Sequence, residues 1–271
     1  MWGEFSLIRL GLAFLLSSLI GWLAWQAKTL SKSGALAAFL VGGVVFGVGG
    51  WGGAAVLLTF FISSSLLSRA FAQQKEALSS FVLKGSQRDA GQVFANGGFG
   101  ALCLLAGLLF SDSYLLWLAF CGGFAAANAD TWATELGVLS PLPPRLLTNG
   151  KLVRRGTSGG VTPLGLLASL LGAILIGVVS TLFTEQGLLT LFAVSLGGFV
   201  GSLFDSWLGA SFQAVYFCPQ CQKETERHPH HSCGELTHLQ RGVKWLDNDT
   251  VNFACTVLGG MVALGIGVVG L

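Results

Sequence analysis

Long apolar runs alternate with short polar connectors along the whole chain. A helix that crosses a bilayer needs about 20 mostly apolar residues, and the pattern predicts eight such spans, at about 5–25, 34–50, 52–72, 91–110, 113–134, 161–183, 187–216 and 249–271. The second is short and meets the third through Gly49, Gly50, Trp51, Gly52 and Gly53, so the two read either as separate spans or as a re-entrant pair. The seventh is long and contains Asp205, which predicts a break or an extension past the membrane. The first lacks a basic leading region and an A-x-A cleavage site, so it is expected to stay as a span rather than leave as a signal peptide. The fold expected is all-α: a polytopic integral membrane helix bundle over residues 1–271, with a Cys/His loop at 218–247 between the last two helices.

The connectors alternate in charge. Lys28 and Lys32 lie in the first, Arg69, Lys75, Lys84 and Arg88 in the third, Arg145, Lys151, Arg154 and Arg155 in the fifth, and Lys223, Arg227, Arg241 and Lys244 in the seventh. The even-numbered connectors hold only Asp112, Glu185 or no charge, and Arg9 alone breaks the pattern. The positive-inside rule makes the odd connectors cytoplasmic and puts both termini on the far side.

Composition agrees. The chain is 52% hydrophobic and 10% charged, against about 25% charged in soluble domains. Its 39 glycines suit helices packed closely through small faces. A net charge of +2, with no basic patch interleaved with aromatics, argues against a nucleic-acid partner.

Ionisable groups inside a membrane are costly and usually mark function. Here they come in blocks near the cytoplasmic connectors. Arg88, Asp89, Gln92 and Asn96 enter the fourth span, with Arg88, Gln92 and Asn96 spaced four apart on one helical face. The alternative is an ordinary helix start with an Asp–Arg pair. Asn128, Asp130, Thr131, Thr134 and Glu135 end the fifth span. Carboxylates there suit a hard cation such as Mg²⁺, or an ion pair of Asp130 with Arg88 or Arg154 made only for assembly. Lys151 and Arg154 precede the run Gly156, Thr157, Ser158, Gly159, Gly160, and an apolar helix follows at once. Backbone N–H groups and the helix dipole favour anions at such a place, although the same run is also an ordinary helix entry. Asp205 lies inside the seventh span, and Asp247, Asp249 and Asn252 open the eighth, where Asp247 also reads as a helix cap.

Cys218-Pro-Gln-Cys221 is followed by His228, His230, His231 and Cys233. The three cysteines and one histidine, with His231 the choice for the fourth ligand, make a tetrahedral Zn²⁺ site, with redox or incidental cysteines as the alternative. Its distance along the chain from the acidic blocks predicts a purely structural zinc. Cys103, Cys121 and Cys255 lie in spans and read as small core residues.

Together the strings Arg88-Asp89-Ala-Gly-Gln92-Val-Phe-Ala-Asn96-Gly-Gly, Asn128-Ala-Asp130-Thr131-Trp-Ala-Thr134-Glu135, Gly156-Thr157-Ser158-Gly159-Gly160-Val-Thr and Trp245-Leu-Asp247-Asn248-Asp249 resemble the membrane family of domain of unknown function 92. That family includes the transmembrane protein 19 group and the phytyl-phosphate kinase of vitamin E synthesis. A more distant similarity is to CTP-using membrane enzymes, the CDP-diacylglycerol synthases and dolichol kinases. It rests on Ala129-Asp130-Thr131-Trp-Ala133, the Gly156 loop and Gly201-Ser202-Leu-Phe204-Asp205-Ser206 in that order. Ser202 stands where those synthases carry an acid, which leaves that stretch to Asp205. The resemblance implies a membrane-embedded kinase that moves a phosphoryl group from CTP to an isoprenoid monophosphate. Asp130 with Asp205 or Asp249, and Glu135 nearby, would hold Mg²⁺. Arg88, Lys151 and Arg154 would clamp phosphates, with Asn96, Asn128 and the Gly156–Gly160 loop completing the nucleotide site. The alternatives are a cytidylyltransferase making a CDP-lipid and a transporter or flippase. All the blocks are expected to converge at one cytoplasm-facing pocket, with the lipid bilayer, the isoprenoid phosphate and the nucleotide as partners.

Overall fold

The computed structural model describes residues 6–70, 87–110 and 113–270. Lys75, Lys84 and Asp112 of the connector pattern lie outside the described residues. Seven helices form among the described residues: α1 (Leu7–Gln26), α2 (Lys32–Ala70), α3 (Ala90–Ala106), α4 (Ser113–Gly137), α5 (Pro163–Thr181), α6 (Gly187–Ser211) and α7 (Asn248–Gly270). Five of them, α1, α2, α5, α6 and α7, are long and apolar enough to cross a membrane. Large apolar side chains such as Leu12, Leu15, Leu167, Leu171 and Val268 point outward, as they do in a bundle whose solvent is lipid.

The glycine run between the second and third spans is a sharp turn. Gly50 takes φ 60° and ψ −151° and breaks α2 into two arms. The arms fold back on each other: Gly42 of the first faces Leu57 of the second, and Gly53 sits against the Val45 carbonyl. Residues that far apart in one straight helix would be separated by about 12 Å or more. Only a residue without Cβ takes this φ/ψ at no steric cost. Arg9, the exception to the charge pattern, has a local job at this turn. Its Nε donates to the Gly47 carbonyl at 3.0 Å, one of the orphan acceptors ending the first arm.

α4 is the hub, and its face from Leu118 to Ala129 is almost entirely buried. Small residues let α6 and α7 close on it. A Cβ on Gly201 would lie 2.6 Å from the Ala126 Cβ and 2.8 Å from the Cys255 carbonyl oxygen. One on Gly259 would lie 2.6 Å from that same Ala126 Cβ. Gly198 meets Ala125 in the same way, so α4 and α6 run side by side in the same direction.

The connectors carry short strands that periodicity did not reveal. β1 (Arg145–Leu146) pairs antiparallel with β2 (Gly160–Val161). After α6, β3 (Val215–Cys218), β4 (Lys223–Thr225) and β5 (His238–Arg241) form a three-stranded sheet in the order β4-β3-β5. The long seventh run therefore stops as helix at Ser211 and continues as strand, which accounts for its length.

Candidate functional site

The packing of α6 on α4 sets the centre of the site. Asp130 lies four residues beyond Ala126, and Asp205 four beyond Gly201, so each carboxylate stands one turn past the closest approach of its helix. Both are half-buried, and each lies in the electric field of the other. Cys255 of α7 lies in the field of both. The Asp205 Oδ2 is buried and has no hydrogen-bond partner among the described residues. A buried carboxylate oxygen without a donor is costly, and a bound cation is one way to offset that cost, beside a proton on the acid.

A third acid completes the group. Glu226 follows β4, and its charge acts on Asp130 and Asp205 alike. Its Oε1 accepts from Gln213 Nε2 at 2.8 Å, and the Gln213 Oε1 accepts from Ser158 Oγ at 2.6 Å. Gln213 is buried. The glycine loop, the end of α6 and the sheet module thus meet beside the acid pair. Arg241 locks the junction: Nη1 donates to the Gly209 carbonyl at 3.1 Å, ending α6, and Nη2 to the Ser158 carbonyl at 3.5 Å. A cation on terminal carbonyls also complements the helix dipole.

The sheet module is tied by cysteines. The ligand atoms of Cys218, Cys221, His231 and Cys233 all lie within 4.8 Å of one another. Cys218 Sγ is 3.6 Å from Cys233 Sγ, and His231 Nδ1 is 3.3 Å from Cys233 Sγ. Zn–S bonds of about 2.3 Å in a tetrahedron put sulfurs about 3.7 Å apart, so the group fits Zn²⁺. The Cys221 N–H points at Cys218 Sγ, 3.5 Å away, which orients the sulfur. Backbone hydrogen bonding by Glu235, then His231, pulls the Cys233 thiol down to about 6, toward the thiolate a metal needs. Among the described residues this is the group of His, Cys, Asp and Glu ligand atoms close enough to hold a metal unaided. The Asp130, Asp205 and Glu226 set is more open, as suits Mg²⁺, which keeps waters and binds through one or two carboxylates plus phosphate oxygens.

A second polar group lies across α4. The Arg88 N–H donates to the Thr29 carbonyl at 2.9 Å, and the Arg88 carbonyl accepts from Ser31 N–H at 3.0 Å. Its guanidinium lies 5.3 Å from the Phe60 ring centroid, over the ring. Burial lowers it to about 10 while Glu135 acts in the opposite sense, so it stays charged at neutral pH.

A family model described as integral membrane protein DUF92 matches residues 15–260. The chain belongs to this family. Protein PGR of Arabidopsis thaliana is 36% identical over 274 residues, covering 92% of this chain and 93% of that one. An uncharacterized membrane protein of Methanocaldococcus jannaschii is 29% identical over 259 residues, covering 96% and 94%. Protein VTE6, chloroplastic, of Arabidopsis thaliana is 28% identical over 241 residues, covering 87% of this chain and 64% of that one. No solved structure matches. This DUF92 chain is a multi-pass integral membrane protein, and both polar groups and the cysteine cluster lie within the matched residues.

Against the sequence expectations, the DUF92 structure redistributes several residues. Asp205 lies in the field of Asp130, but Glu135 does not join them. It is five residues past Asp130, about 140° around the helix, where its Oε1 accepts from Ser68 Oγ at 2.6 Å and it faces Arg88. Asp249 goes to the start of α3: a Cβ on Gly91 would lie 2.5 Å from its Oδ2. Asn128 is fully buried and its amide is spent on packing, donating to the Gly172 carbonyl at 2.8 Å and accepting from Ser63 Oγ at 2.9 Å. Asn96 Nδ2 donates back to the Gln92 carbonyl at 2.9 Å. Asp89 and Asp247 are helix caps: Asp89 forms a capping box with Gln92, and Asp247 Oδ1 accepts from Thr250 N–H at 2.9 Å.

The glycine loop does not feed the helix dipole directly. Thr162 intervenes and caps α5 itself, its Oγ1 accepting from Gly165 N–H at 3.0 Å. Inside the loop, the Thr157 N–H is taken by the Arg154 carbonyl and the Gly160 N–H by the Thr157 carbonyl. Gly156 and Gly159 have φ of 85° and 79°, which fold the loop back onto α6. Lys151 and Arg154 are exposed. The cysteine module, expected to hold a structural zinc, also carries Glu226, whose charge acts on Asp130 and Asp205. Sequence reading missed Glu226 and Gln213, since neither sits in an apolar span nor in a motif. The signal available was an acid a few residues after a C-x-x-C knuckle.

Proposed function

We propose that this protein is a membrane-embedded phosphotransferase that moves the γ-phosphoryl group of a nucleoside triphosphate, CTP, onto an isoprenoid monophosphate. The observation that carries the reading is the buried Asp205 Oδ2, without a hydrogen-bond partner among the described residues, in the field of Asp130 and Glu226 at one end of the bundle. Three acids without a hydrogen-bond donor on the deepest oxygen fit a divalent cation bound together with phosphate oxygens. Asp130 and Asp205 would hold Mg²⁺, which would supply positive charge against the charge that builds on the transferred phosphoryl group. An acceptor phosphate is already nucleophilic, so the chain needs no strong base; its residues position and screen. Asp130 and Asp205 hold the cation, and Glu226 is aimed at them by Gln213. Arg88, at the same end of the bundle across α4, takes the acceptor phosphate. Exposed Lys151 and Arg154 reach the outer phosphates of the nucleotide. The Cys218, Cys221, His231, Cys233 group holds zinc and fixes the module that carries Glu226. The site faces the cytoplasm, the side to which the basic connectors assign it.

The test is nucleotide binding rather than turnover. Protein in nanodiscs is expected to bind CTP only with Mg²⁺ present, and Asp205→Asn to lose that dependence while keeping its unfolding transition. CTP binding that ignores Mg²⁺, or is unchanged in Asp205→Asn, would count against the reading.

A further inference from the structure

Between α1, both arms of α2 and α3 lies a cavity of about 270 Å³. Its walls are apolar, with Leu16 and Ile20 from α1, Val41 and Phe46 from the first arm, and Leu57 and Phe61 from the second. Arg88 is the one charged residue among the described residues that line it. Gln92 and Asn96, on the first turns of α3 just after Arg88, line it too. The cavity is therefore polar at one end and greasy along its length.

The far end is closed at the Gly50 turn. Phe46 and Trp51 meet there with ring centroids 4.9 Å apart. Trp51 is 74% exposed, so beyond it lies lipid. From Trp51 to Phe60, the ring under Arg88, is nine residues of helix, about 14 Å. Gly42 keeps the wall thin: a Cβ there would already lie 3.1 Å from Ser17 Oγ.

A half-buried guanidinium at the head of an apolar cavity favours an anion. Glu135 supplies a charge from the α4 side, but a guanidinium presents five donors and can serve two anions. An occupant with one anionic head and a hydrocarbon tail satisfies both ends of the cavity. A free anion would leave the apolar walls empty, and a neutral lipid would bring no charge to Arg88.

We infer that this cavity seats the hydrocarbon tail of an isoprenoid monophosphate, with the phosphate at Arg88, and that the Phe46–Trp51 pair sets the length of tail accepted. With C–C bonds of about 1.52 Å, a zigzag chain advances roughly 1.25 Å per bond, so about 14 Å holds three isoprene units. A longer tail must push past Trp51 into lipid. The inference takes its class of amphiphile from the phosphotransferase reading, but it concerns binding alone and needs no nucleotide.

The experiment is a binding series in nanodiscs without nucleotide, using prenyl monophosphates of two, three and four isoprene units and the three-unit alcohol. The wild type is expected to prefer three units over four by about tenfold, the discrimination a fitted apolar pocket gives. Trp51→Ala should remove that preference while leaving three-unit binding in place, a gain for the long chain that misfolding does not produce. The alcohol should bind weakly to the wild type, and Arg88→Ala should bind alcohol and monophosphate alike. Equal preference for three and four units in wild type and Trp51→Ala, or an alcohol that binds as well as its monophosphate, would overturn the inference. Should the binding pattern hold while no phosphoryl transfer occurs, the cavity assignment stands and the phosphotransferase reading falls. Turnover with no Trp51 effect on chain length would leave the reverse.

Discussion

Single residues divide sharply into those that hold the fold and those left for chemistry. Asn128 and Asp130 are two positions apart on α4, yet their fates differ. The Asn128 amide is saturated by Gly172 and Ser63, whereas Asp130 faces Asp205 across the helix seam. Asn128→Ala should therefore destabilise the bundle by about 1–2 kcal/mol, since it strands a buried carbonyl and hydroxyl. Turnover per folded molecule should survive, as measured by detergent unfolding and activity on the same preparation. A stable Asn128→Ala protein without activity would return this residue to the nucleotide site. The acid pair was legible in the sequence, because a carboxylate inside an apolar run has few structural excuses. The roles of Asn128, Asp89 and Asp247 were not. An amide or acid that caps a helix, or bridges two, looks the same along the chain as one that binds a ligand. Only the partner in space separates them.

Among the elements, the alternation of apolar runs and charged connectors gave helices close to those observed, and the glycine run at Gly50 was already marked as unusual. What periodicity could not reveal was the strand content of the connectors, because β1, β2 and β4 are each only two or three residues long. The glycines at the α4, α6 and α7 seam carry more than flexibility. They fix how near Asp205 comes to Asp130. Gly201→Val should cost about 1–3 kcal/mol by overpacking against Ala126 and the Cys255 carbonyl. Gly11→Val, which meets nothing within 4 Å, should be silent in the same unfolding assay. In the proposed function the cysteine module is a positioning arm for Glu226. Removing its metal with a chelator should weaken Mg²⁺-dependent CTP binding by about tenfold, the usual effect of losing an orienting partner. Glu226→Gln should do the same, and chelation of the Glu226→Gln protein should add little further. Additive losses would mean that the module acts by some route other than Glu226.

For the whole molecule, the central feature is asymmetry. Arg88 starts α3, Glu135 ends α4, Asp205 lies near the end of α6, and Asp249 starts α7. Parallel α4 and α6, with α3 and α7 beginning where those two end, gather every one of these groups at one end of the bundle. The opposite end holds Arg9 on the Gly47 carbonyl beside the Gly50 turn. The gathering is not one uniform pocket. Asp130, Asp205 and Glu226 lie on one side of α4, with Arg88 and Glu135 on the other, an arrangement that suits a donor site and an acceptor site meeting over the helix end. A phosphotransferase and a cytidylyltransferase differ in which bond of the nucleotide breaks, and isotopic label reads that directly. With CTP labelled in the γ-phosphate in one reaction and in the α-phosphate in another, and a three-unit prenyl monophosphate as acceptor, the γ-label should pass to a prenyl diphosphate and the α-label should stay in CDP. Asp205→Asn should stop the transfer, by a factor of about 100 or more. An α-label that enters the lipid with release of pyrophosphate would contradict the account and make the protein a cytidylyltransferase.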